Sequence, residues 1–455
     1  MTITSSPFWQ ECRRILLLAT PIIVAQFAQT ANGFVDTVMA GRVSPNDLAA
    51  VAVGSAIWVP VFLFLVGVMQ GLTPFVSQYR GQQDHTAIGG IVLQGLWLAL
   101  PLGWLGFLLM RNMEPVLILM DVDDAIQPII IDYLNGLSWG FPAITLFLAL
   151  RSLTEGMSFT TPVMVVSLIG LAVNIPINYI LIYGKFGFPA LGGVGCGWAT
   201  SIVMWLMLVL MLLYCIVFDR KQDTGLFRRF IWPQLAMINS VLRLGLPIGL
   251  SIFIEVSLFC VIALFIAGIG AQVVASHQIA LNAASMLFMI PLSLSLALTV
   301  RVGTNLGMGN IAAVHRSIGA GLAIILVIAL ANSSLMTLFR SQVASIYTDD
   351  IQVIEMASGL LLFAALFQIS DCLQVSANGV LRGMKDTTWP MLITVLAYWG
   401  LGLPVGYVLG LTDWIVPAMG AKGFWIGLVA GLTAAAVMLC LRVVWHLKRH
   451  LLLPA

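Results

Sequence analysis

The chain has 455 residues, 60% of them apolar and only 9% charged, with a formal net charge of +2 and a mean hydropathy of +1.02. A soluble domain carries roughly a quarter of its residues as Asp, Glu, Lys and Arg to wet its surface, so this composition excludes an ordinary soluble protein. The lack of any cluster of Lys and Arg excludes a nucleic-acid partner.

Taken in chain order, the apolar runs between charged or Gly/Pro clusters predict twelve transmembrane helices, over residues 14–40, 48–73, 90–110, 129–150, 162–183, 194–217, 240–267, 273–300, 316–338, 352–377, 389–410 and 421–445. Stretches such as Val53 to Leu72 and Met204 to Val217 hold no charge, and about 20 mainly apolar residues cross the hydrocarbon core. Arg13 and Arg14 precede an apolar stretch that outruns a signal peptide and has no clear small-residue cleavage site, so it reads as a retained first span. The segment at residues 218–239 is the most polar long stretch and divides a first six-helix lobe, residues 1–217, from a second, residues 240–455. With the amino terminus inside, sixteen of the twenty-one Lys and Arg fall on the cytoplasmic side, Arg220, Lys221, Arg228 and Arg229 among them. The positive-inside rule therefore puts both termini in the cytoplasm. The six cysteines show neither metal-ligand nor disulfide spacing and read as small packing residues.

The two halves repeat. A shift of 226 or 227 residues lays Pro21 on Pro247, Thr73 on Thr299, Gly81 on Gly307, Gly156-Met157 on Gly383-Met384, Thr160-Thr161 on Thr387-Thr388 and Trp198 on Trp425. Six spans per half give both halves the same orientation, a parallel repeat of the kind transporters use. The fold is thus predicted to be all-α, a polytopic membrane protein of two six-helix lobes. No Gly-rich phosphate loop with its Lys is present. No nucleotide or other cofactor is implied, and transport draws on an ion gradient or runs downhill.

Three acids fall within predicted spans: Asp36 in the first, Glu255 in the seventh and Asp371 in the tenth. A carboxylate at mid-bilayer costs roughly 2.5 to 3.5 kcal/mol on insertion scales and usually faces a polar cavity or an ion path. Asp36 lies near the outer end of its span and reads either as an interfacial carboxylate or as part of a site. Glu255 and Asp371 read either as neutral structural carboxyls or as ligands of a proton or cation, since no Lys or Arg is expected at their depth. The acids do not repeat between halves, which assigns the cation site to the second. Polar stripes accompany them at helical spacing: Gln29 and Asn32 with Asp36, Gln368 and Gln374 with Asp371, Asn174 and Asn178 in the fifth span, Gln278 and Asn282 in the eighth. Such faces line either a cavity or a helix contact. His277 reads as a hydrogen-bonded structural residue or as a proton relay. No structural metal site is expected. Asp121, Asp123, Asp124, Asp349 and Asp350 read as solvated residues of the outer loops.

At these residues the sequence resembles the MATE family of multidrug and toxin extruders, particularly its NorM-type bacterial branch. The segments that carry the likeness are QTANGFVDTVMAG (29–41), LRSLTEGMS (150–158), NIPINYILIYGKFG (174–187), LGGVGCG (191–197), FIEVSLF (253–259), SHQIALN (276–282), LRGMKDT (381–387) and AYWGLGLPVGYVLG (397–410). The resemblance implies paired lobes of the MATE/MOP type in the bacterial inner (plasma) membrane, exporting cationic, amphipathic drugs and dyes for Na⁺ or H⁺ by alternating access. It also implies functional roles for Asp36, Glu255 and Asp371. One departure is Phe367, which stands before Gln368 where NorM-type members commonly carry a Tyr, removing one oxygen ligand. Two other readings remain open. A flippase of lipid-linked precursors, from the same superfamily, would favour a strongly cationic cavity. An intramembrane enzyme would need a catalytic constellation that the sequence lacks.

Overall fold

The structure is a computed structural model that describes residues 6–120, 122–228 and 230–450. Asp121 of the outer loop, Arg229 of the linker and the carboxy-terminal Ala455 lie outside the described residues. Among those residues there are helices and no strand: α1 Pro7–Gly41, α2 Pro45–Gln70, α3 Thr73–Gly81, α4 His85–Arg111, α5 Glu114–Leu119, α6 Gln127–Ser138, α7 Phe141–Gly156, α8 Thr161–Tyr183 and α9 Val194–Gln222. Then follow α10 Leu235–Ala267, α11 Ala271–Gly307, α12 Ile311–Leu338, α13 Arg340–Ser345, α14 Ile351–Gly383, α15 Thr388–Val395, a π-helical segment Leu396–Gly402, α16 Leu403–Leu411 and α17 Ala421–His450.

Eleven helices are long and apolar enough to cross a membrane, and α6 with α7 makes a twelfth span if the bent pair counts as one. That pair corrects the continuous span read at 129–150: it bends by 44° between Ser138 and Phe141. Pro142 is the reason, because it donates no backbone hydrogen bond and its ring clashes with the carbonyl four residues back, that of Ser138. A second departure lies in the eleventh span. Pro404 is placed to disturb the turn before it, and there the Leu403 N–H reaches back five residues to the Tyr398 carbonyl.

The internal repeat is visible in the backbone. Gln83 and Gly309 both take left-handed φ, of 58° and 67°, and so do Ser158 and Lys385, at 60° and 61°. Asp84 caps α4 through the Ala87 N–H, and Asn310 caps α12 through the Ala313 N–H, both at 2.9 Å. Gly156 packs against Val76 as Gly383 packs against Val302. These pairs stand 226 or 227 residues apart, the same offset that aligns the sequence.

The chain divides into two compact units, Thr20–Gly249 and Met1–Ala19 with Leu250–Ala455. The division thus falls inside α1 and α10, whereas the sequence reading put the boundary at residues 218–239. Side-chain chemistry accounts for where the start of α1 belongs. Glu11, only 5% exposed, takes two hydrogen bonds from the Arg301 guanidinium at 2.8 and 2.7 Å and one from Ser317 at 2.6 Å. Each unit has its own apolar core, one around Met69, Tyr133, Phe141 and Phe147, the other around Leu298, Leu361, Phe424 and Trp425. Cys12, Cys196, Cys215 and Cys372 are buried free thiols, Cys440 is half-buried and Cys260 exposed.

Candidate functional site

In the unit Thr20–Gly249, α1, α8 and α9 converge on Asp36. The Asn178 amide donates to Asp36 Oδ1 at 2.6 Å and to Asn174 Oδ1 at 2.9 Å, and the Thr200 hydroxyl donates to Asp36 Oδ2 at 3.1 Å. Asp36 is 7% exposed, so it is a buried, hydrogen-bonded carboxylate rather than one that touches water at a helix end. Asn174 and Asn178 are one turn apart and reach the same carboxylate region as their spacing predicts. The buried amide oxygens of Asn32 and Asn178 have no hydrogen-bond partner among the described residues. Gln29 is half-buried on α1 and takes no part in this network. Thr200 and Tyr133 are additions that the sequence reading missed. Tyr133 is buried, accepts from the Trp58 indole at 3.0 Å and lies within electrostatic reach of Asp36.

In the other unit, α10, α14 and the π-helical segment build a second site. Phe259, one turn past Glu255, packs edge-on to Phe367, one turn before Asp371, with ring centroids 6.3 Å apart. On two helices of opposite direction that register turns Glu255 towards Asp371, and the two acids lie within electrostatic reach of each other. Asp371 is 1% exposed and neither of its carboxylate oxygens has a hydrogen-bond partner among the described residues. The Trp399 indole donates to the Ile254 carbonyl at 3.3 Å, which fastens the π-helical segment beside Glu255. From that segment the Tyr398 hydroxyl, itself buried and within reach of both acids, donates to Gln374 Oε1 at 2.6 Å.

Other predicted residues have different surroundings. Gln368 is fully buried and spends its amide on helix contacts, donating to the Ala284 carbonyl at 3.1 Å and accepting from Asn332 at 3.4 Å. Gln278 and Asn282 are exposed on α11 and bond to each other at 3.2 Å. Phe367 is 6% exposed and also lies edge-on to Trp425, 6.0 Å away. The Trp425 indole donates to His277 Nδ1 at 3.2 Å, so His277 is a hydrogen-bonded residue whose proton, when neutral, sits on Nε2.

One cation from beyond the predicted tenth span bears on Glu255. α14 continues to Gly383, past the predicted end at 377, and carries Arg382 into electrostatic reach of Glu255. In the first unit Arg151 and Glu155 form a buried ion pair of 2.7 Å beside a small cavity that Gln70 and Ser152 also line.

Long apolar helices that carry carboxylates within their spans define a polytopic membrane protein. The MatE family model matches the chain twice, over residues 21–180 and 247–408. The chain is 50% identical over 443 residues to the multidrug resistance protein PmpM of Pseudomonas aeruginosa, covering 97% of this chain and 93% of that one. It is 47% identical over 440 residues to the multidrug resistance protein MdtK of Yersinia pseudotuberculosis, covering 96% of each. The chain belongs to the MATE family. Its fold is also that of the eukaryotic MATE transporter AtDTX14, with a TM-score of 0.86 at 21% identity over 96% of each chain.

Proposed function

We propose that this protein is a secondary active multidrug exporter that exchanges cationic, amphipathic drugs and dyes for Na⁺ or H⁺ by alternating access in the bacterial inner membrane, with both termini cytoplasmic. The observation that carries the reading is Asp371, buried with both carboxylate oxygens unpartnered among the described residues and with Glu255 in electrostatic reach. A carboxylate in that setting needs a proton or a cation, and two neighbouring carboxylates hold one such ion between them. The names of the PmpM and MdtK relatives support drug export. A flippase for anionic headgroups finds little support, because the unpartnered buried charge is acidic.

The test is transport in proteoliposomes with imposed Na⁺ or H⁺ gradients. Glu255→Gln and Asp371→Asn should each abolish drug uptake driven by either gradient while membrane expression stays normal. Uphill transport at the normal rate by either variant would remove that residue from the coupling site.

A further inference from the structure

The segment between α9 and α10 is a strap fastened along α4. At its start the buried Asp219 accepts from the Thr224 hydroxyl and from the backbone N–H groups of Leu226, at 3.1 Å, and Phe227, at 3.3 Å. There the Thr224 carbonyl comes so close to Gly89 that a Cβ would lie 2.1 Å from it. At its end Gln94, fully buried, donates to the Trp232 carbonyl at 3.1 Å and accepts from the Gln234 N–H at 2.7 Å, while the Trp97 indole donates to the Ile231 carbonyl at 3.0 Å. Gln94 and Trp97 stand nine and twelve residues into α4, roughly 13 and 18 Å along it, inside the apolar run read at 90–110. The end of the strap therefore sits at the depth where hydrocarbon begins, and side chains from α4 satisfy its backbone polar groups as that setting demands.

Its outer face is aromatic and basic. Phe227, Phe230 and Trp232 are 43%, 68% and 74% exposed, and Phe230 packs edge-on to both Trp97 and Trp232, at 6.0 and 5.3 Å. At the shallower end Arg220 and Lys221, in the last turn of α9, and Arg228 are exposed, Arg228 in a surface ion pair of 3.1 Å with the exposed Asp223. Trp rings prefer the boundary between headgroup and hydrocarbon, and basic clusters there attract anionic lipid. We propose that this strap is a binding surface for anionic glycerophospholipid headgroups, with Phe230 and Trp232 seated in the boundary and Arg220, Lys221 and Arg228 holding the phosphate. The surface shares no residue with either acidic site and does not depend on which ion drives transport.

The test uses the full-length protein in vesicles of phosphatidylcholine, with or without phosphatidylglycerol, either lipid carrying brominated acyl chains. Trp232 emission is read as the difference between the wild type and Trp232→Phe. Brominated phosphatidylglycerol should quench it more strongly than brominated phosphatidylcholine at equal content. Replacing Arg220, Lys221 and Arg228 by Gln should weaken that preference about five-fold for each charge removed. Equal quenching by both lipids, or a preference unchanged in the triple variant, overturns headgroup recognition. Absence of quenching, with Trp232→Arg shifting the protein from dimer to monomer by light scattering, would make the strap an interface between copies instead.

Discussion

Lys385 follows α14 in left-handed backbone, at φ 61°, in the loop that also carries Asp386, which accepts from Arg442 at 2.8 Å. Burial pushes the Lys385 ammonium down to about 8. Its folded pKa thus lies below the unfolded value of about 10.4, so between those two values the unfolded chain binds the extra proton. Stability should then rise with pH across that window and lose this contribution as pH falls towards 8. Melting curves in detergent should show that slope for the wild type and a flatter one for Lys385→Met, in which both residues share the same backbone strain. An unchanged slope would assign the pH dependence elsewhere. At this scale the sequence reveals a charge inside an apolar run and little about what meets it. Asp36, Glu255 and Asp371 were legible because each is an acid inside a long apolar run. Thr200 and Tyr398 were not, since a hydroxyl at a span position is as common in packing as in a site. Arg382 stays hidden because a charge marks the end of an apolar run, whereas α14 runs on to Gly383.

Helix against helix, close approach is set by residues without side chains. Gly402, Gly406 and Gly410 on one stretch of chain face Gly423, Gly427 and Gly431 on α17, two stripes at the four-residue spacing that lets membrane helices touch backbone to backbone. A Cβ on Gly427 would lie 2.4 Å from the Gly402 carbonyl oxygen and 2.5 Å from the Gly406 nitrogen, and backbone cannot swing aside as a side chain can. Gly427→Ala should therefore destabilise the protein by about 1–3 kcal/mol through overpacking. Gly359→Ala in α14, where a Cβ meets nothing within 4 Å, should be neutral or stabilising by up to about 1 kcal/mol from helix propensity. Unfolding midpoints of the two variants in detergent check the contrast, and equal losses would refute the packing argument. The glycine stripes stand in the sequence, but which stripe meets which does not. The bend between α6 and α7 was readable from the Gly140-Phe141-Pro142 run, yet hydropathy averaged over a span conceals a break of two residues.

For the whole molecule, the 226-residue offset was the most legible feature, because turns with left-handed residues and closely packed glycines constrain sequence at both copies, as Gln83 with Gly309 and Ser158 with Lys385 illustrate. Orientation follows from charge alone, so a reporter active only in the periplasm, fused after Ala455, should give no signal. The proposed function divides where the repeat breaks. Asp36 accepts from the Asn178 and Thr200 donors, whereas Asp371 has no donor among the described residues and lies within electrostatic reach of Glu255. The two settings predict different losses. Asp36→Asn should impair drug extrusion or its H⁺ response and keep Na⁺ binding, while Glu255→Gln should lose Na⁺ binding, both read by isothermal titration beside drug transport. Phe367→Tyr completes the argument, because it puts a hydroxyl one turn from Asp371 among Phe259 and Trp425. If that hydroxyl reaches the ion, the half-saturating Na⁺ concentration falls, since Na⁺ gains from a further oxygen and a proton does not. If it finds no partner, the buried hydroxyl costs about 1–3 kcal/mol of stability instead. Retention of Na⁺ binding by Glu255→Gln together with its loss in Asp36→Asn would move the cation site to the unit Thr20–Gly249.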